Sequence, residues 1–486
     1  MTNLKKQYLS SSLWVIIGRG SSNAMSFLVF VVIARYLVPA QFGQVAFAAV
    51  FTDLTRALAL AGIPQAMVRS SDWEQRRAST AFWLNLGLAI ALAIVVGGGL
   101  GTGFEWYFGG GFGLIIASLS ATFVIESSSS IHEAKLQKEF GYRSLANRLL
   151  IGTLIGGVVG IAMAVSGFGV WALVGNRLAN SIAQALLLWA TVKWRPSWTY
   201  DKEEAKPLLS YAFHLGGSAV IGKLNNRIPD LFLGVIANLT AVGLYRVGSR
   251  AVFMIQDAVI APLQNTTLTT LSRANERNAL ASAYTRIVMA CGLLAFPVYG
   301  GAALIATDFT VLVFGPQWHL AGQVMTALAL AGAASALLSF TPPTLVAVGW
   351  TRFVLINNVS TFVIALVLTV ILARWGAVAV AWGYCLRAYL SVPLSLVLLG
   401  RATDIDAVKV MKGLAPSFIS ASLMVGLLFF VQENLMTEVT PILRLLTMVA
   451  GGVLLYPAFL MIFGRKLVLD LWREAGHLLP IRKGKA

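Results

Sequence analysis

The sequence predicts an all-α, polytopic membrane protein of about fourteen transmembrane helices, and three observations carry that prediction. Of its 486 residues, 57% are hydrophobic and only 12% charged, where a soluble domain carries about 25% charged residues. Apolar runs long enough to cross a bilayer recur from one end to the other, and at about 22 residues each they fill the chain with short connections between them. The basic residues gather in alternate connections, as topology in a membrane requires. Together these exclude the disordered, collagenous and disulfide-scaffold classes.

Apolar windows between charged or Gly/Pro-rich punctuation place a first set of spans near 11–37, 42–65, 79–101, 111–131, 146–166 and 169–192. Lys5 and Lys6 before the first span mimic a signal peptide, but its apolar stretch runs on to about residue 37 and reads as a membrane helix. A charged linker, 193–208, precedes a second set within 209–400, near 209–236, 242–266, 282–306, 320–346, 353–373 and 376–399. Two more spans, near 412–432 and 441–463, fall within 401–464, and residues 465–486 form a basic tail.

The excess of 37 Lys+Arg over 20 Asp+Glu has a topological origin, and no nucleic-acid partner is expected. Lys5/Lys6, Arg69/Arg76/Arg77, Lys135/Lys138/Arg143, Lys193/Arg195/Lys202/Lys206, Arg273/Arg277, Arg352, Arg401/Lys409/Lys412 and the tail all fall at the termini or after even-numbered spans. The opposite connections hold Glu105, Asp308, Glu433 and Glu438 and one arginine, Arg374. Both termini are therefore expected in the cytoplasm.

A weak internal repeat appears at an offset of about 200, setting Leu37 to Gly43 against Ala237 to Gly243. Repeated halves frame many transporters, with the substrate between them. Catalysis has little to stand on: His132, His214, His319 and His477 lack ligand spacing, and Cys291 and Cys385 lie inside apolar runs. No metal site and no cofactor is expected.

Trp14 to Gly20, Phe27 to Tyr36 and the turn Val38-Pro39-Ala40-Gln41-Phe42-Gly43 resemble the first helix pair of bacterial polysaccharide flippases, in the superfamily that also contains the MATE multidrug exporters. Ala134 to Phe140 with Tyr142-Arg143, Gly167 to Leu173, Val242 to Tyr245, and Phe314-Gly315-Pro316-Gln317-Trp318 with Ala321 resemble later connections, and the look is that of Wzx-type exporters of the colanic-acid kind. The resemblance implies two six-helix lobes in a V, two extra C-terminal helices and flipping of undecaprenyl-pyrophosphate-linked oligosaccharide units across a bacterial inner membrane. A polysaccharide polymerase and a chain-length regulator are the partners it implies.

Charges inside spans cost roughly 2.5 to 3.5 kcal/mol each at a helix centre, so they require a reason. The basic set is Arg19, Arg56, Arg177, Lys223, Arg227, Arg246, Arg250 and Arg387, against Asp53, Glu126, Asp230 and Asp257. Mutual pairing cannot remove that basic excess, which points to an anionic cargo. Lys223, Arg227 and Asp230 share one helical face, as do Arg246, Arg250 and Asp257; Asn225 and Asn226 add hydrogen-bonding capacity for sugars. Pro229 interrupts the local ladder, as a protein-lined or watered region tolerates.

Asp53/Arg56 and Arg227/Asp230, each at i, i+3, read as structural pairs. Arg246 lies near enough to a span end to snorkel, and Arg35, Arg286 and Arg444 read as interfacial. Arg19, Lys223, Arg250 and Arg387 are the candidates for pyrophosphate, with Arg56, Arg177, Asn225, Asn226, Arg227 and Arg246 as further cavity residues. Asp53, Glu126, Asp230 and Asp257 are structural or ion-coupling acids. Trp106/Tyr107, Trp194, Trp198, Trp318, Trp350 and Trp375 read as an aromatic belt.

Two other classes compete with a flippase. A multidrug antiporter of the same fold would favour cavity acids unopposed by arginine for cationic substrates. A membrane glycan polymerase would need a large external loop or an acidic catalytic cluster, and the external connections are about ten residues or fewer.

Overall fold

The computed structural model describes residues 2–70, 72–264, 267, 277–465 and 469, and among them there are helices and no strands. In chain order they are α1 (Thr2–Tyr36), α2 (Pro39–Ala61), α3 (Ile63–Arg69), α4 (Gln75–Ala93), α5 (Gly101–Phe108), α6 (Phe112–Lys138), α7 (Tyr142–Val165), α8 (Val170–Thr191), α9 (Lys202–Phe232) and α10 (Leu239–Ile255). There follow α11 (Arg277–Phe314), α12 (His319–Leu338), α13 (Thr341–Ala347), α14 (Thr351–Leu372), α15 (Ala377–Ala402), α16 (Ala407–Leu435) and α17 (Pro441–Phe463). Arg273 and nearly all of the expected basic tail lie outside the described residues.

Eleven described helical segments are long and apolar enough to cross a membrane. Three further helices, α8, α9 and α10, fall short of that measure, so the count of about fourteen stands as approximate. α8 and α9 fall short because of polar residues: α8 carries Asn176, Arg177, Asn180 and Gln184, and α9 carries Lys223, Asn225, Asn226, Arg227 and Asp230. α9 continues through Pro229 and then widens into a π-helical turn at Leu233–Ala237, one way of absorbing the hydrogen bond that a proline removes. The chain forms two compact units, Met1–Gly243 and Leu244–Ala486.

In the first unit α1 packs on α7, α7 on α8, α8 on α6, and α2 on α9. Helices in lipid gain little from burying apolar surface against one another, so close backbone approach over small residues takes that role. Gly152, Gly156 and Gly160 form such a stripe on α7. A Cβ at Gly156 would stand 2.7 Å from the Asn176 carbonyl oxygen, and one at Gly160 2.7 Å from the Asn176 Cβ. The stripe draws α8 close and fixes the rotation of its amide-bearing face.

The connection after α8 is a strap tied to α4. Trp194 Nε1 donates to Gln75 Oε1 at 2.6 Å, Gln75 Nε2 to the Arg195 carbonyl at 2.8 Å, and Trp83 Nε1 to the Ser197 carbonyl at 2.9 Å. Arg76 pairs with Asp201 at 2.8 Å and Arg77 with Glu204 at 3.2 Å. Asp201 also accepts the Glu203 N–H at the start of α9, satisfying one of the free amides of a helix start. Trp194 is buried within this strap, and Trp318 is buried as well. Both are withdrawn from the surface that an aromatic belt occupies, whereas Trp106 and Trp198, each 90% exposed, and Trp375 are at the surface.

In the second unit α11 packs on α12, α16 and α17, and α12 on α15. The buried face of α12 is dominated by alanine, including Ala321, Ala327, Ala331 and Ala334. Arg444 of α17 pairs with Asp308 of α11, both mostly buried; it therefore has a partner inside the protein, where the sequence suggested an interfacial side chain.

The segments that align at the 200-residue offset meet face to face. A Cβ at Gly43 would overlap the Leu239 carbonyl, and a Cβ at Gly243 would overlap the Pro39 carbonyl, so the contact is reciprocal in the repeat. Gly43→Val and Gly243→Val should each force this contact apart and reduce the yield of monodisperse, detergent-solubilised protein. Gly87, with nothing within 4 Å, is the control: Gly87→Val should leave the yield unchanged.

Candidate functional site

The first unit holds a polar cavity of about 280 Å³ lined by Thr52, Asp53 and Arg56 of α2, Thr122 and Glu126 of α6, and Asn176, Arg177, Asn180, Ser181 and Gln184 of α8. Every lining residue is polar, which an apolar helix bundle tolerates where such groups pair with one another or meet water or a ligand.

Asp53 holds the cluster together. Its carboxylate accepts from Arg227 of α9 and lies 3.6 Å from Arg177 Nη1. Arg227 also reaches Asp230 Oδ2 at 3.3 Å, one turn along its own helix. Arg56 Nε stands 2.5 Å from Glu126 Oε2, and Ser181 Oγ donates to Glu126 Oε1 at 2.9 Å. The expected i, i+3 pair Arg227/Asp230 is present. Asp53 and Arg56 instead pair with other helices, Asp53 with Arg227 of α9 and Arg56 with Glu126 of α6.

Burial within this cluster is uneven. The Asp230 and Asp53 side chains are 2% and 15% exposed, whereas those of Arg177 and Arg56 are 40% and 45% exposed. The carboxylates face inward and the two guanidinium groups reach the open space. Lys223 is exposed and within electrostatic reach of Asp53 and Glu126. Asn225 is half-buried and Asn226 exposed on the same helix.

Arg19 lies elsewhere in this unit. It lines a second cavity of about 210 Å³ with Trp14, Gly18, Glu133, Gln137, Tyr142 and Arg148. There Arg148 makes two hydrogen bonds to Glu133, at 2.7 and 3.2 Å, and the Arg143 guanidinium stands 5.4 Å from the Trp14 ring centroid. Arg246, Arg250, Asp257 and Arg387 belong to the second unit. Arg250 interacts electrostatically with Asp257, and the Arg387 guanidinium stacks 3.8 Å from the Tyr384 ring centroid. Among the described residues no group of three or more His, Cys, Asp or Glu is placed to hold a metal.

Sequence reasoning missed the amides and hydroxyls of this cavity: Thr52, Thr122, Asn176, Asn180, Ser181 and Gln184. A signal for most of them was present, since Asn176, Asn180 and Gln184 recur every four residues on one helical face, with Arg177 and Ser181 beside them.

The helices and this polar cavity define a multi-pass helical membrane protein. The lipid II flippase MurJ, in an inward closed conformation, superposes with a TM-score of 0.71 at 13% identity, over 95% of this chain and 100% of that one. An inward-facing multidrug transporter of the MATE family gives 0.60 at 15% identity, over 78% of this chain and 95% of that one. Residues 32–322 match the family described as polysaccharide biosynthesis protein, and the chain belongs to it.

Relatives in sequence include the succinoglycan biosynthesis transport protein ExoT of Rhizobium meliloti, 22% identical over 65% of this chain and 64% of its own length. The chain thus spans just under two thirds of that relative. The teichuronic acid biosynthesis protein TuaB of Bacillus subtilis is 22% identical over 68% of this chain and 69% of its own length, and the lipopolysaccharide biosynthesis protein WzxC of Escherichia coli is 22% identical over 68% of each.

Because Arg227 bridges Asp53 and Asp230, Arg227→Ala should break both ion pairs, leave Asp53 with its 3.6 Å contact to Arg177, and cost about 3 kcal/mol. Folded protein in the membrane should fall, and adding Asp53→Asn should restore part of it. Thermal unfolding of the purified variants measures both effects; additive losses would contradict the coupling.

Proposed function

We propose that the chain is a flippase that carries undecaprenyl-pyrophosphate-linked oligosaccharide repeat units across a bacterial inner membrane without altering them chemically. The observation that carries this reading is the all-polar cavity of the first unit, which sets hydroxyls, amides and guanidinium groups where only lipid or helix would otherwise be. Sugars offer many hydrogen-bonding groups at moderate spacing, and this lining matches them. Within this unit Lys223, in electrostatic reach of Asp53 and Glu126, supplies cationic charge for the diphosphate, with charge-assisted hydrogen bonds replacing those to water. The relatives that act in polysaccharide biosynthesis and the fold shared with a lipid II flippase support the same reading.

Alternating access is the mode of transport that repeated halves favour. Basic residues alternating with acidic ones along the connections favour cytoplasmic termini. The MATE fold likeness favours a multidrug antiporter as the second reading, but cationic drugs need acids free to meet them, and Asp53 and Glu126 already engage arginines. A membrane glycan polymerase is disfavoured because Asp53 and Glu126 are held in ion pairs with arginines.

Deleting the gene should leave completed repeat units on their lipid carrier at the inner leaflet and abolish surface polymer. Radiolabelled lipid-linked intermediates and surface polysaccharide, measured together, test this. Chemical change of the lipid-linked unit by purified protein in liposomes would overturn it.

A further inference from the structure

The second cavity of the first unit lies where three membrane spans end. The apolar stretch of α1 begins at Trp14, that of α6 ends at Lys138 and that of α7 begins at Tyr142, and Trp14, Gln137 and Tyr142 all line this cavity of about 210 Å³. Its level is therefore the boundary between hydrocarbon and water. Lys135, Lys138 and Arg143 around it favour the cytoplasmic boundary. Arg19 stands one to two turns beyond Trp14 on α1, about 7.5 Å deeper, a depth from which an arginine reaches the boundary by extending its side chain.

The charges lining the cavity are unequally engaged. Glu133 accepts two hydrogen bonds from Arg148, at 2.7 and 3.2 Å, and one from Gln137 at 3.3 Å. Arg19 is exposed and forms no ion pair with a described acid. A Cβ on Gly18 would stand 2.6 Å from that of Ala146, so α1 and α7 are in close contact beside Arg19. At that contact α7 begins without a side-chain cap and with no acidic residue in its first turn, which leaves the positive end of its dipole to an external anion. The Arg143 guanidinium, 5.4 Å from the Trp14 ring centroid, adds a second cation at the rim.

The anion that a bilayer offers at this depth is the phosphate of its lipids. Past the cavity α7 carries Ile151, Leu154, Ile155 and Val158, between 40% and 61% exposed, and their i, i+3, i+4, i+7 spacing makes one apolar stripe along which acyl chains can lie. A zwitterionic headgroup would also bring an ammonium that needs an acid, and Glu133 is already engaged. A headgroup with net negative charge has no such need.

We infer that the cavity at Arg19 binds an anionic phospholipid of the inner leaflet, its phosphodiester on Arg19 and the start of α7 and its acyl chains along the exposed stripe of α7. This lipid is a resident of the bilayer and not the transported cargo, so the site stands apart from the flippase reading.

The test titrates the full chain, purified in mild detergent, with dioctanoyl-phosphatidylglycerol and with dioctanoyl-phosphatidylcholine, and counts bound lipids by native mass spectrometry. The first phosphatidylglycerol should bind about fivefold more tightly than the first phosphatidylcholine. Arg19→Gln should bring that ratio near one. Arg374→Gln, which removes a cation stacked on Trp375 in the second unit, should leave it unchanged. Should Arg19→Gln yield no folded protein, Arg19→Met takes its place with the same expected loss.

Equal affinity for the two lipids in the unaltered protein would overturn the inference, as would a preference that survives the loss of Arg19. A preference that falls as far in Arg374→Gln would mark general attraction to a basic protein and overturn it too. Glycerol 1-phosphate carries a phosphate without chains and should fail to displace phosphatidylglycerol at equal concentration; displacement would assign the cavity to free phosphate. Displacement by inorganic pyrophosphate, absent in Arg19→Gln, would assign it to a diphosphate instead.

Discussion

The bond between Asp53 and Arg227 is the contact on which the first unit depends. Charges in a hydrocarbon setting must be paired or watered, and this one pair ties α2 to α9 while leaving other members of the cluster turned toward open space. Remove Arg227 and its ion pairs with both Asp53 and Asp230 are lost; keep it and the half-exposed side chains of Arg177 and Arg56 face open space. Structure and ligand recognition thus draw on the same seven charges, with the buried ones supporting and the exposed ones offered.

The helix packing serves that arrangement. Small residues on α7 bring α8 within backbone distance and hold Asn176, Asn180 and Gln184 at a fixed rotation. The strap after α8, anchored by Trp194, Gln75, Ser197 and Asp201, fixes where α9 begins and hence the height at which Arg227 meets Asp53. The reciprocal contact of Gly43 and Gly243 joins the start of α2 to the start of α10 with no side chain between them.

The fold was largely legible in the sequence because hydropathy and basic-residue alternation are one-dimensional signals, and the expected spans follow the observed helices closely. The family resemblance rested on local stretches such as Val38 to Gly43, which the structure places at a helix junction of tight contact. The site was legible only in outline. Intramembrane charges announced Asp53, Glu126, Arg177 and Arg227 through their cost, but a sequence does not say which helices face one another. Asp53 therefore read as the partner of Arg56, and Arg19 as a neighbour of Lys223, although it lines a separate cavity with Glu133 and Arg148. Uncharged residues such as Asn180 and Thr122 carry a smaller insertion cost and drew no notice.

The central claim is that the polar cavity admits water and polar ligands rather than being a sealed knot of ion pairs. Asn180→Cys, made in a chain with Cys291 and Cys385 replaced, places a thiol on its wall, and Val158→Cys places one on an exposed apolar position of α7. In intact membranes a charged, water-soluble thiol reagent should label Asn180→Cys and spare Val158→Cys, and labelling should slow when lipid-linked oligosaccharide is supplied. An Asn180→Cys thiol no more reactive than that of Val158→Cys would contradict the account.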